Sequence, residues 1–363
     1  LAVGWTAASP AAWGAGHKLF QLTDPRLDEA SGLAVGLASP SVLYAQNDSG
    51  DSARFFALDG ATGATVAVCD VPGAKNVDWE DLAVTRDAAG VPSVWLADIG
   101  DNDAERAEIE LYRVDEPELA ASTRGATVAT SPPDVWRLSY PDGAHDAESL
   151  VVNPASHRMF VLTKSVLGSS GLYEVPTNPS AARTQVLRKV GELQFDLTGT
   201  PGGPNVIGQL TATGAAMSTD GRVLAIRTYT DAYFFAVGAG DVPQAIKAKP
   251  ARVALPDQPQ GEGIALRAGS ALIDSEGVGS WVYSVDQPAL TTASPSPSRS
   301  APTRSPAPTH SAAPTSLGSV HPTGGRGDGW DVLILTGALL VGATVVVLGC
   351  WGALTYQRRR FRP

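Results

Sequence analysis

The chain has 363 residues, a formal net charge of −10 and two cysteines, Cys69 and Cys350. Residues 286–363 carry three acids and seven bases, which leaves −14 on residues 1–285. That surplus would repel a phosphate backbone and excludes nucleic acid as a natural partner, favouring cations, sugars, peptides or basic proteins. Two cysteines exclude a disulfide framework and a zinc site built on thiolates.

Residues 1–16 (LAVGWTAASPAAWGAG) combine a short apolar start with small residues. They read equally as the remnant of a secretory signal and as a disordered extension, and are set apart from the fold. From His17 onward the apolar runs are short, rich in Val, Leu, Ala, Tyr and Phe, and punctuated by Gly, Pro, Asp and Asn. Such spacing, without a long stretch of helical period, predicts an all-β domain over 17–285.

The runs fall into five repeats. The first takes in 32–35, 42–51, 54–59 and 65–73; the second 80–84, 93–103, 109–114 and 135–141. The third has 148–152, 159–164, 171–175 and a strand within 184–193; the fourth 213–217, 222–231, 233–237 and 251–255. The fifth, at 262–266, 271–277 and 281–285, stops one strand short, and HKLFQL at 17–22 is free to supply it. Four-stranded units that cannot bury their own faces, closed by a strand from the other end of the chain, predict a β-propeller of five blades. Six blades is the alternative, because 193–211 has room for a further strand pair, although its Gly and Pro content favours a loop.

After Val285 the composition turns to Pro, Ser, Thr and Ala, which predicts an extended linker over 286–330. In polyproline II its reach would be on the order of 130 Å. Residues 332–356 are an uncharged apolar run of 25 residues, enough for a bilayer that needs roughly 20. Trp330, Trp351 and Tyr356 flank it and QRRRFRP follows. This predicts a single transmembrane helix over 331–356, a basic cytoplasmic tail over 357–363, and a propeller held outside the cell membrane.

In a propeller meander the first strand starts, and the second strand ends, on one face. The first-strand starts offer Ser31, Glu80, Glu148, Thr213 and Glu262. The second-strand exits offer Asn47, Asp48, Asp98, Asp101, Asn102, Lys164, Arg227, Asp274 and Glu276. These residues should converge on one mouth of the central channel. Glutamates crowded near one axis repel unless neutralised, so Glu80, Glu148 and Glu262, with Asp98, Asp101 and Asn102, are candidate ligands of calcium or another divalent cation. The competing reading is structural, with the same residues capping strand starts.

Asn47, Asp48, Lys164, Arg227 and Glu276 are candidate ligand-binding residues. The two bases suit a phosphate or carboxylate, and pairing with Glu148 or Glu262 is the alternative. Glu80, Glu148 and His145 are the catalytic candidates if the site is an enzyme's, His145 as general acid or base. A solvated loop histidine competes with that role.

These strings, SGLAV with NDSGD, DWEDLAV, ADIGDND with LYRVDEP, and DAESLVV with VLTK, resemble those of extracytoplasmic bacterial β-propellers of the SdiA-regulated and phytase-like kind. The likeness covers roughly residues 27–285. It implies a calcium-binding or esterase-like propeller, here in a membrane-anchored form whose Ala, Gly, Arg and Pro usage looks actinobacterial. The phosphate-binding bases of a phytase are thin, with only Lys164 and Arg227 in the ring. Two functions therefore stand side by side: a membrane-tethered extracellular module binding a ligand or protein partner at an acidic, cation-loaded mouth, and a metal-assisted hydrolase of esters, lactones or phosphoesters at the same site.

Overall fold

The structure, a computed structural model, describes residues 15–119, 124–178 and 180–290. The linker, transmembrane and tail expectations fall on 291–363, outside the described residues, as do residues 1–14. Among the described residues no helix is long and apolar enough to cross a membrane.

Five sheets, each built on a four-stranded antiparallel meander, form the five blades of a propeller. Strand β1 (Gly16–Gln21) opens the chain, and the first blade follows as β2 (Ala30–Val35), β3 (Val42–Asn47), β4 (Arg54–Asp59) and β5 (Thr65–Asp70). The second blade has β6 (Trp79–Arg86), β7 (Pro92–Asp98) and β8 (Ile109–Asp115). Then β9 (Ala126–Ala129) leaves it to lie parallel to β5 of the first blade, before β10 (Asp134–Ser139) completes the second. The third blade has β11 (Ala147–Val152), β12 (Met159–Thr163) and β13 (Ser169–Glu174). Strand β14 (Ser180–Val186) lies parallel to β10, and β15 (Arg188–Gln194) closes the third blade.

The fourth blade comprises β16 (Ala212–Met217), β17 (Val223–Thr228), β18 (Asp231–Ala236) and β19 (Ala251–Ala254). The last has β20 (Ile264–Arg267), β21 (Ser270–Ile273) and β22 (Trp281–Asp286), and β1 pairs antiparallel with β22 to close the ring. Five blades and the N-terminal closure follow the sequence expectation, and 195–211 holds only a short 3-10 turn, Val206–Gln209. The outer strands β9 and β14 were not foreseen. Each is an insertion that covers the outermost edge of the preceding blade, where unpaired N–H and C=O groups would otherwise face solvent.

Burial explains why each blade needs its neighbours. Tyr44 and Phe55 of the first blade pack with Leu82 and Tyr112 of the second, and Trp95 and Trp136 pack with Val161 and Tyr173. Phe160 and Leu172 meet Ile226 and Tyr233, Phe234 meets Ile264 and Ile273, and Phe20 and Phe56 meet Leu272 and Val282. The apolar cores lie between the sheets, so no blade is complete alone. Cys69 belongs to one of these layers, fully buried, and burial pushes its thiol up to about 12.

The inner strands β2, β6, β11, β16 and β20 ring the axis. Glycine lets them approach at three junctions. A Cβ on Gly32 would stand 2.6 Å from the Leu82 amide, one on Gly263 2.8 Å from the Leu33 amide, and one on Gly214 2.6 Å from the Glu262 carbonyl. The remaining span is tied by Asp81, wholly buried, whose Oδ2 accepts from the amides of Leu150 at 2.8 Å and Ala215 at 3.3 Å while Oδ1 accepts from Leu82. One carboxylate thus links the second, third and fourth blades across the channel.

Candidate functional site

Four of the five inner strands carry a register shift at the same place. It falls between Ala30 and Gly32, Trp79 and Asp81, Ala147 and Ser149, and Ala212 and Gly214. The residue skipped in each ladder is Ser31, Glu80, Glu148 or Thr213. A bulge re-aims the side chain it carries, and here it turns these residues out of the pleat at the mouth. Glu262 occupies the matching position just before β20. All five are buried.

Around Glu80 the carboxylates close up. Single oxygens of Asp48, Asp78 and Glu80 lie within 4.8 Å of one another, and so do those of Glu80, Asp146 and Glu148. The two triads share Glu80. The Ser31 hydroxyl donates to the Glu80 carbonyl at 2.6 Å and approaches Oε2 at 3.3 Å. Gly100 of the second-blade exit loop lies against both acids, where an added Cβ would crowd Glu80 Oε1 and stand 2.5 Å from Asp78 Oδ2. Lys164 ion-pairs with Glu148 and its ammonium lies 5.9 Å from the centre of the Tyr229 ring.

Electrostatics follow from burial and crowding. Burial, and then repulsion from Glu148 and Asp48, drives Glu80 well above the usual carboxylate range. Asp78 is pushed up to about 8 by burial and by its contact with Asp48. Burial raises Glu148, which the Lys164 charge opposes. Burial alone would lower Lys164, but Glu148, Asp146 and Glu262 hold its ammonium charged. Glu262 rises through burial and the charges of Glu148 and Glu276, and its Oε2 is buried without a hydrogen-bond partner. Carboxylates protonate in such a setting unless a cation neutralises them. The donor set, carboxylate oxygens with a hydroxyl beside them, suits a hard divalent ion.

The sequence-predicted residues divide. Glu80, Glu148, Asp48 and Lys164 meet at the mouth; Glu262 and Glu276 face them from the fifth blade, where the Glu148 charge makes both harder to ionise. Asp98, Asp101 and Asn102 are not part of either triad. Asp98 is ion-paired with Arg106 at 2.8 Å and accepts from the Val77 and Asp78 amides. Asp101 accepts from the amides of Glu105 and Arg106, folding the exit loop, and Asn102 is exposed. The same loop still serves the site through its backbone, since the Asp101 amide donates to Asp146 Oδ1 at 2.9 Å.

Asn47 donates to the Arg26 carbonyl and to Asp51, bracing loops of the first blade. Arg227 is fully buried and spends its guanidinium on the carbonyls of Gly263, Asp274 and Thr228 and on Gln258. It pins the fourth blade to the fifth. Asp274 accepts from the Gly263 amide at 2.8 Å, one layer below the mouth. His145 turns outward, 3.0 Å from Asp142 Oδ1 and 3.1 Å from the Tyr173 hydroxyl, and stacks edge-on to Tyr140. Its ring is engaged by Asp142 and Tyr173 rather than by Glu148.

Asp78, Asp146, Gly100 and Tyr229 were not among the predicted site residues. A signal for the two acids is present: Asp–x–Glu recurs at 78–80 and 146–148. A cavity of ≈ 700 Å³ opens on the opposite face, lined by Leu33, Leu82, Val84, Met217, Ala265 and their neighbours. It lies at the other ends of the inner strands, away from the carboxylates.

No family model matches the chain, and no curated protein matches it. Among solved structures it is similar to the PQQ-bound aldose sugar dehydrogenase of Streptomyces coelicolor, with 13% identity, a TM-score of 0.41, and coverage of 77% of this chain and 99% of that one. It is also similar to a gluconolactonase of Xanthomonas campestris, XC5397, with 15% identity, a TM-score of 0.37, and coverage of 76% and 98%. A glucose dehydrogenase gives 12% identity and a TM-score of 0.40 over 74% of this chain and 99% of that one. At these values the likenesses carry no argument about the chemistry of the mouth, which stands on the geometry above.

Proposed function

We propose that this chain is a divalent-cation-dependent ligand-binding propeller, carried outside the cell on its own C-terminal membrane segment. The observation that carries the binding reading is the pair of carboxylate triads sharing Glu80. Asp48, Asp78, Glu80, Asp146 and Glu148 would hold the ion, with calcium the best match to an all-oxygen donor set. Once bound, the ion supplies a Lewis acid that polarises an oxygen of the ligand. Ser31 and Lys164 steer the carboxylates, and the Asp101 amide orients Asp146. The membrane placement rests on the apolar run at 332–356 and the arginines after it.

A second reading, a metal-assisted hydrolase of esters, lactones or phosphoesters, is favoured by the same carboxylates. Glu276 is pushed up to about 8 by burial and by Asp48 and Glu29, so it holds a proton near neutrality that it could deliver to a leaving group. Calcium titration of the purified chain, followed by melting temperature and then by ester, lactone and phosphoester release, separates the readings. Cation binding lost in Glu80→Gln, with no turnover on any class, supports the binding module; turnover that Glu80→Gln abolishes supports the hydrolase. A wild-type chain that binds no divalent cation overturns both.

A further inference from the structure

Nine large apolar side chains are exposed among the described residues. Six of them, Val77, Val166, Leu167, Leu197, Val206 and Val278, lie on loops of the mouth face, with Leu167 79% exposed. Val77 sits beside Asn76, which donates to the carbonyls of Asn47 and Asp48. Val166 and Leu167 lie two and three residues after Lys164, the turn bearing Val206 packs through Gly208 on Tyr229, and Val278 follows Gly277, whose amide donates to the Asp28 carbonyl. They therefore share the face on which the acidic centre lies. Exposed apolar groups gathered on one face mark an interaction surface.

Beneath that rim, Glu262 is 3% exposed and belongs to neither carboxylate triad. Its Oε2 is buried without a hydrogen-bond partner, and its charged neighbours are Glu148, Glu276, Lys164 and Arg227. Arg227 gives its hydrogen bonds to Gln258 and to backbone carbonyls, and Lys164 is paired with Glu148. A cation in the triads of the first three blades leaves this oxygen unanswered. The acidic surface continues past Glu276 to Glu29, Asp28 and Asp48. The unpartnered acid therefore lies deep and can ionise only against a positive charge, and its surround is shallow and apolar.

We propose that the mouth face docks a polypeptide segment that presents one basic side chain between apolar ones. This deepens the ligand-binding reading of the same mouth by naming the class of ligand. Lysine and arginine carry a charge at the end of a slim apolar stem, the shape that reaches Glu262 from the rim while its neighbours cover Leu167 and Val278. Charge complementarity sets the register and the exposed apolar groups supply contact area. A free inorganic cation would neutralise Glu262 and leave the rim uncovered; a neutral or anionic amphiphile would cover the rim and leave Glu262 unpaired.

The test uses the full-length chain in zwitterionic nanodiscs with calcium, and three labelled peptides read by fluorescence anisotropy against empty nanodiscs. One has a single lysine flanked by leucines, one has norleucine in place of that lysine, and one has the lysine flanked by serines. The first should bind at least about tenfold tighter than either control. Glu262→Gln should remove the advantage of lysine over norleucine, and Leu167→Asp, at an exposed position that leaves the fold intact, should remove the advantage of leucine over serine while calcium binding persists. Equal binding of the norleucine and lysine peptides, or no binding of any peptide by the calcium-loaded chain, overturns the proposal. Calcium binding without peptide binding leaves the cation reading standing; lysine-dependent docking by a chain that binds no calcium sinks the cation reading alone.

Discussion

Asp81 reaches the backbone of Leu150, on the next blade, with a 2.8 Å hydrogen bond from its amide. The same carboxylate oxygen serves Ala215 on the blade beyond. A buried amide left without an acceptor costs about 1–3 kcal/mol, so Asp81→Leu should destabilise the fold by at least about 2 kcal/mol. Asp81→Asn keeps an acceptor oxygen and should recover most of that loss. Denaturant unfolding of the two variants checks the order; equal midpoints would remove Asp81 from its role as a tie across the axis.

The pH dependence of the cation-free protein follows from the raised carboxylates. Asp78 and Glu276 stand at about 8 in the fold, against roughly 4 in an unfolded chain. Between those values the folded state binds more protons than the unfolded state, so stability is greatest in mild acid and falls as pH rises through about 8. A cation must displace the same protons, so its affinity rises over that interval. Melting temperatures from about pH 5 to about pH 9, with chelator and with calcium, should diverge as pH increases.

Gly100 makes room for both acids of the first triad. Gly100→Ala should push Glu80 and Asp78 apart and weaken calcium binding by about tenfold or more, a loss of roughly 1.4 kcal/mol. Isothermal titration, alongside the melting curve of the cation-free variant, distinguishes a damaged site from a damaged fold.

His145 gives the converse case. Its ring bonds to Asp142 and Tyr173, neither of them in a carboxylate triad, so His145→Ala should leave calcium affinity unchanged. If the hydrolase reading holds, turnover should also be unaffected. A tenfold fall in kcat with an unchanged fold would restore the histidine as a proton carrier.

Phe20 of the closing strand is 6% exposed and packs with Phe56, Leu272 and Val282. Phe20→Ala should cost about 3–5 kcal/mol. Because the strand seals the ring, the variant should unfold as one cooperative unit at a lower midpoint; loss of the fifth blade alone, seen as an early separate transition, would show that closure is dispensable.

The fold was legible because period and punctuation repeat. Leu82 to Val84 and Val94 to Ala97 alternate between the two apolar cores on either side of their blade, as strands must, and the missing fifth-blade strand advertised itself as HKLFQL. Strand β9 was not legible, since Ala126–Ala129 is four small and β-branched residues with one side to water, a pattern shared by many loops. At the site, position-equivalent acids such as Glu80 and Glu148 could be read from the repeat. Asp98 was misleading because an acidic exit loop looks like a ligand loop until Arg106, eight residues later in sequence, is seen to close on it. The roles of Arg227 and Asp81 depend on which blade lies across the axis, and that is a property of the closed ring rather than of any local string.

The closure of the ring by β1 also has a mechanical side. Gly16 and Asp286 lie together at the ends of β1 and β22 on the face away from the mouth, and β22 is hydrogen-bonded along one edge to β1 and along the other to β21. A load applied between the mouth and Leu290 would run along β22. It is shared by two ladders at once, in shear, so the hydrogen bonds resist together rather than parting one after another.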